Sequence, residues 1–62
     1  MIYTFRAKSA ESAAHVRAIA YPSAKTFDQW FEDGNWWIKV WTEDRSLPHK
    51  VRRCASLERR EW

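Results

Sequence analysis

Sixty-two residues leave room for one domain, expected to span 1–62. A chain of this length buries only about 60% of the surface that its unfolded form exposes. Eleven Lys and Arg against eight Asp and Glu give a net charge of +3, mildly basic and below what a dedicated non-specific nucleic-acid coat carries. One cysteine excludes an internal disulfide, and one glycine excludes a glycine-rich phosphate loop. The core must come from a few large side chains. Five Trp, three Phe and two Tyr supply them, each able to bury about 150–250 Å².

Residues 2–8, Ile-Tyr-Thr-Phe-Arg-Ala-Lys, alternate in the manner of a strand, with Tyr3 and Phe5 on one side and Ile2, Thr4 and Arg6 on the other. This opening segment has no apolar h-region, and no run in the chain approaches the ~18 apolar residues of a membrane span. A cytoplasmic location without a membrane partner is therefore expected. Residues 10–20 predict a helix: Ser9 is a suitable N-cap, with Ser12 as a second choice, and Ala10, Ala13, Ala14, Ala18 and Ala20 have high helix propensity. Ala13, Val16 and Ala20, with Ala14 and Ala18, form a narrow stripe of small residues that lets the helix lie close to a sheet. Pro22 stops the helix and is expected to push Tyr21 out of helical geometry.

The strongest local pattern spans residues 25–42. Asp33-Gly34 is the signature of a type I′ two-residue turn. With those two residues as the loop, Phe31 faces Trp36, Gln29 faces Ile38 and Phe27 faces Val40. That side becomes an apolar core face, expected to pack on the first helix. The other side pairs Trp30 with Trp37, Asp28 with Lys39, and Thr26 with Trp41. The first arm has a competing reading. Thr26 to Asp33 also fits a short helix, with Thr26 as cap and Gly34 after its end. Residues 46–60 predict a second helix, capped by Ser46, with Pro48 in its first turn and Leu47, Val51, Cys54 and Ala55 along one side. The expected fold is a small α+β domain in β-α-β-β-α order, with a three-stranded antiparallel sheet and a tryptophan-rich β-hairpin.

Catalytic signatures are thin. His15, His49 and Cys54 lack metal-ligand spacing, and His49 and Cys54, five apart, do not align on one helix face. Cys54 reads as a small hydrophobe filling a core gap. The carboxylates Asp28, Glu32, Asp33, Glu43 and Asp44 flank turns, where acids are usually solvated. No catalytic residue, metal or cofactor is expected, and the chain reads as a non-enzyme.

Two surfaces remain as binding candidates. Trp30, Trp37, Lys39 and Trp41 share one side of the hairpin, and Trp is enriched at interface hot spots. Asp28 and Glu32 beside these rings repel phosphate, which favours a protein partner. Whether the second helix covers this side stays open from sequence. The other surface is basic. Lys50, Arg52, Arg53, Arg59 and Arg60 crowd the predicted second helix, and the Arg52-Arg53 and Arg59-Arg60 pairs recur at spacing seven. Such a helix could contact phosphates or an acidic partner, although late cations also complement the helix dipole. The expectation is a small non-catalytic module that binds and occludes a larger protein or nucleoprotein complex, an inhibitor or adaptor of the kind found among phage and mobile-element accessory proteins. The alternative is a nucleic-acid binder using the basic helix. A second copy is a further candidate partner, through the tryptophan side or the edge of the first strand.

Overall fold

Asp33 and Gly34 both adopt left-handed backbone, with φ of 53° and 77°, the conformation a two-residue turn of matching twist requires. The turn joins β2 (Ala24–Glu32) to β3 (Asn35–Thr42), which run antiparallel with Glu32 opposite Asn35, Trp30 opposite Trp37 and Phe27 opposite Val40. Thr26–Glu32 is thus a strand and not a short helix. An isolated helix of that length would be marginal because its first turn is costly to nucleate, whereas the strand gains a full ladder along β3. The ladder shifts register between Ala24 and Thr26, so Lys25 bulges out of the pairing.

The computed structural model describes residues 1–58. The chain begins with β1 (Ile2–Ala7), followed by α1 (Ala10–Ala20) and a single 3-10 turn, Tyr21–Ser23. After β3 come α2 (Leu47–Val51) and β4 (Ser56–Glu58). The fold is a small α+β domain with two helices and one antiparallel sheet in the order β2-β3-β1-β4. The sheet has four strands, not three. The additional strand is β4, which pairs with β1 through Thr4 opposite Glu58 and Arg6 opposite Ser56. Arg6 also reaches Glu58 in an ion pair of 3.1 Å. β1 therefore lies inside the sheet, and its edge is not open to a second copy.

The predicted helix over 46–60 is cut to the five residues of α2. Good helix formers continue through Arg52 and Arg53, but strand pairing overrides their propensity. The chain turns over Arg52–Cys54 and sends Ser56–Glu58 back along β1, satisfying backbone groups that β1 would otherwise leave open. Arg59 and Arg60 lie outside the described residues. Ser46 does not cap α2 with its side chain. Asp44 organises the start instead: its Oδ1 accepts from the Ser46 amide (2.9 Å) and hydroxyl (2.6 Å), and Lys50 Nζ donates to its Oδ2 at 2.7 Å.

At α1, Ser9 Oγ accepts from the Ser12 amide at 3.1 Å, the expected N-cap. Tyr21 departs from expectation. It keeps right-handed helical backbone (φ −57°, ψ −42°) and its N–H donates to Arg17 O. The proline is accommodated because the 3-10 turn places it where a missing N–H costs little.

Both helices lie on one side of the sheet. Phe5, Ala7, Ile38 and Val40 from the strands form a single buried cluster with Ala13, Val16 and Ala20 of α1 and Leu47 and Val51 of α2. The alanines bring α1 close to the sheet. Ala14 and Ala18, expected to share that role, are exposed. The helix covers β1 and β3 but not the far end of β2, where Phe31 remains 60% exposed. Thr42 is fully buried beneath the chain crossings. Its hydroxyl donates to Ser23 O (2.9 Å) and accepts from the Asp44 amide (3.0 Å), and its backbone exchanges hydrogen bonds with Met1.

Two outcomes follow. Ile38→Ala, at the strand paired on both sides, is expected to lower unfolding free energy by about 2–5 kcal/mol in urea titrations, a large share of what a small domain holds. The hydrogen bonds from Lys50 and Ser46 hold the Asp44 carboxyl down at about 2 from its ordinary 3.8. A carboxyl lowered in the folded state adds stability that is full above its unfolded value and is lost as pH falls toward the folded one. Thermal midpoints should therefore fall between about pH 4 and 2 through this group, and Asp44→Asn should remove that part of the slope while lowering the midpoint at neutral pH.

Candidate functional site

The side of the sheet away from the helices carries Trp30 from β2 and Trp37, Lys39 and Trp41 from β3, so register alone brings these four together. α2 does not cover them. Its buried residues belong to the cluster on the opposite side. Among the described residues no helix lies on the tryptophan side. The four are not equivalent. Trp37 is only 7% exposed, and its indole Nε1–H donates to Glu32 O at 3.0 Å. It anchors the turn end of the sheet. Trp30, Lys39 and Trp41 are half-buried. Lys25, released by the bulge, holds its ammonium 4.9 Å above the Trp41 ring while it pairs with Glu43 Oε1 at 3.2 Å. Ile2, 56% exposed, lies opposite Trp41 on the neighbouring strand.

Among the described residues Lys50, Arg52 and Arg53 do not share one helix, because α2 ends at Val51. Lys50 is held by Asp44 at 2.7 Å, which offsets its charge. Arg52 and Arg53 follow α2 in the turn and are exposed. With β4 starting at Ser56, the seven-residue spacing to Arg59 and Arg60 has no helical meaning. Among the described residues, no group of three His, Cys, Asp or Glu is placed to hold a metal ion. No helix is long and apolar enough to cross a membrane. Cys54 is a free thiol, half-buried against the core.

A third surface escapes the sequence reading. Ala14, Arg17, Ala18, Tyr21 and Pro22 line an open concavity of about 330 Å³ at the C-terminal end of α1. Its walls are two alanine methyls, a proline ring and a phenol face, with one guanidinium at the rim. Tyr21 is 57% exposed and meets Phe27 edge-on at 5.6 Å. The Arg17 guanidinium sits 5.4 Å from the Tyr21 centroid and 6.0 Å from that of Phe27, within cation–π range of both. Phe31 and Trp36 form a separate aromatic pair at the turn end of β2, edge to face at 5.3 Å. The signal was present as a second row at helical spacing, Ala14, Arg17/Ala18 and Tyr21, distinct from the row that meets the sheet.

Because Trp37 both packs and donates a hydrogen bond, Trp37→Phe is expected to cost about 1 kcal/mol from the lost donor alone. Trp41→Phe, which leaves no such acceptor behind, should cost less. Chemical denaturation of the two variants side by side measures the difference. Comparisons of the chain with protein-family models, with curated proteins and with solved structures find no match.

Proposed function

We propose that this chain is a small non-catalytic binding module that docks on a larger protein, alone or within a nucleoprotein complex, and occludes part of its surface. The observation that supports it is the apolar concavity of Ala14, Arg17, Ala18, Tyr21 and Pro22. Its size suits one bulky apolar side chain. Around it Tyr21 and, further along the sheet margin, Phe31 stay exposed, apolar area that a partner could cover. Arg17 adds chemical selectivity at the rim. It favours a partner whose anchor residue is followed by a carboxylate, and its planar head stays ordered between two rings. Trp30, Lys39 and Trp41 form a second contact area on the opposite side of the sheet.

The nucleic-acid reading has less support. Lys50 is committed to Asp44, and the remaining described cations of that region, Arg45, Arg52 and Arg53, are spread over two turns. Phosphate binding by so few exposed cations falls steeply with salt.

The test is affinity capture from lysate of the source cell, comparing the unaltered chain with Ala18→Glu and with Arg52→Glu/Arg53→Glu. Ala18→Glu places a charge in the concavity at an exposed helix position, so folding should be kept, as circular dichroism will check. A specific protein partner is expected to be retained by the double arginine variant and lost, by tenfold or more in affinity, with Ala18→Glu. Retention by Ala18→Glu together with loss in the arginine variant, or tight binding of generic DNA or RNA at ~150 mM salt, would overturn the proposal.

A further inference from the structure

The sheet has one long open edge. Among the described residues no strand pairs with the outer side of β2. At the other end of the sheet the edge strand is the three-residue β4. β2 runs for nine residues, Ala24–Glu32. A two-residue turn makes the residues that flank it, Glu32 and Asn35, a hydrogen-bonded pair, and antiparallel ladders alternate from there. The even-numbered residues of β2 therefore direct their backbone groups to β3. Phe27, Gln29 and Phe31 direct theirs outward. Natural edges of this length are protected by charged side chains, proline or a bulge that twists the edge away; β2 has a bulge at its Lys25 end and two acids, Asp28 and Glu32, which leave the edge pairable only in registers that keep those acids apart. Here the only lysine, Lys25, is bulged out and turned toward Trp41 and Glu43, and Phe31 beside the edge is the most exposed large apolar side chain among the described residues.

We infer that this edge is a self-association surface: β2 pairs antiparallel with β2 of a second copy about a two-fold axis at Gln29. The inference does not depend on the concavity that carries the proposed function. Charge selects both the occupant and the register. A two-fold axis normal to the sheet keeps opposed residues on the same side, which leaves three central registers. An axis at Asp28 sets Asp28 against its own copy. An axis at Trp30 sets Asp28 against Glu32 twice. Both oppose like charges directly. An axis at Gln29 has no directly opposed like-charge pair, and the acids approach one another only on diagonals. It places Phe27 opposite Phe31 twice, Asp28 opposite Trp30 twice, Thr26 opposite Glu32 twice, and Gln29 opposite itself, where two amide side chains can exchange hydrogen bonds. It also uses all three outward-facing residues, for about six new backbone hydrogen bonds. The partner's Phe31 then lands beside Phe27, extending the row already formed with Tyr21 at 5.6 Å. Two four-stranded sheets become one continuous sheet with the helices of both copies on the same side.

Sedimentation across about 10 µM to 1 mM is expected to show mass rising toward twice that of one chain, with Gln29→Lys raising the dissociation constant roughly fivefold or more by opposing two cations. Register is read separately by single cysteines in a Cys54→Ala background under mild oxidation. Directly opposed backbone positions lie within disulfide reach, so Gln29→Cys should cross-link far faster than Asp28→Cys or Trp30→Cys. All these positions lie along the edge strand, and circular dichroism of each variant confirms folding before comparison. A chain that stays monomeric across the whole range overturns the inference. So does preferential cross-linking of Asp28→Cys or Trp30→Cys, or a Gln29→Lys variant that associates as well as the unaltered chain.

Discussion

Two consecutive left-handed residues, Asp33 and Gly34, decide on which side of the sheet every side chain of the adjoining strands falls. In a strand the side-chain period is two, so a slip of one position would exchange Ile38 and Val40 for Trp37 and Lys39 in the core. The present register gives Ile38 and Val40 to the helices, and both are fully buried. It also places β3 where β1 can pair along its other side, with Phe5 against Ile38. The rest of the sheet is assembled on that choice. Of the two turn residues Gly34 meets nothing where a Cβ would stand. Its requirement is the backbone conformation, which other residues adopt only with strain.

A second constraint is the one-sided placement of the helices. With so few residues, α1 and α2 can cover β1 and β3 but not the width of four strands. Alanine at positions 13 and 20 keeps α1 close and the core thin. The outer strand β2 is left with Phe27 half-covered and Phe31 in solvent. On the reverse side the strands cannot rely on a helix. Trp37 is buried there among its own neighbours and secures the turn by bonding Glu32 O. Aromatic bulk in this molecule therefore does two jobs: it thickens a sheet that has helices on one side, and it leaves apolar area at the margin of the helical layer.

Much of this was legible in the residues themselves. The Asp33-Gly34 pair, the Ser9 cap and the Ala13/Val16/Ala20 spacing are local signals whose physics does not depend on the rest of the chain, and the structure carries each of them. The C-terminal third was not legible, for the opposite reason. Lys50, Arg52 and Arg53 have helical propensity, and Leu47, Val51 and Cys54 have helical spacing, but the segment is decided by a distant strand, β1, that needs a neighbour. Three residues, Ser56–Glu58, are too short to announce a strand by alternation. The concavity was hidden by a similar ambiguity. Alanines at 13, 14, 18 and 20 read alike in sequence, and only the position of the sheet separates the buried pair from the exposed one.

Thr42 ties these regions together more closely than its size suggests. One hydroxyl bonds Ser23 O, at the exit from the first helical segment, and the Asp44 amide, at the approach to the second. The same residue's backbone closes on Met1 at the outer end of the β1–β3 pair. The segments around Met1, Ser23 and Asp44 thus converge on one residue, the first through its backbone and the other two through a hydroxyl with no access to water. None of them can open without leaving a buried polar group unmet, so fraying is discouraged where small domains normally begin to unravel. The corner is therefore held as one unit and not as three independent loose ends.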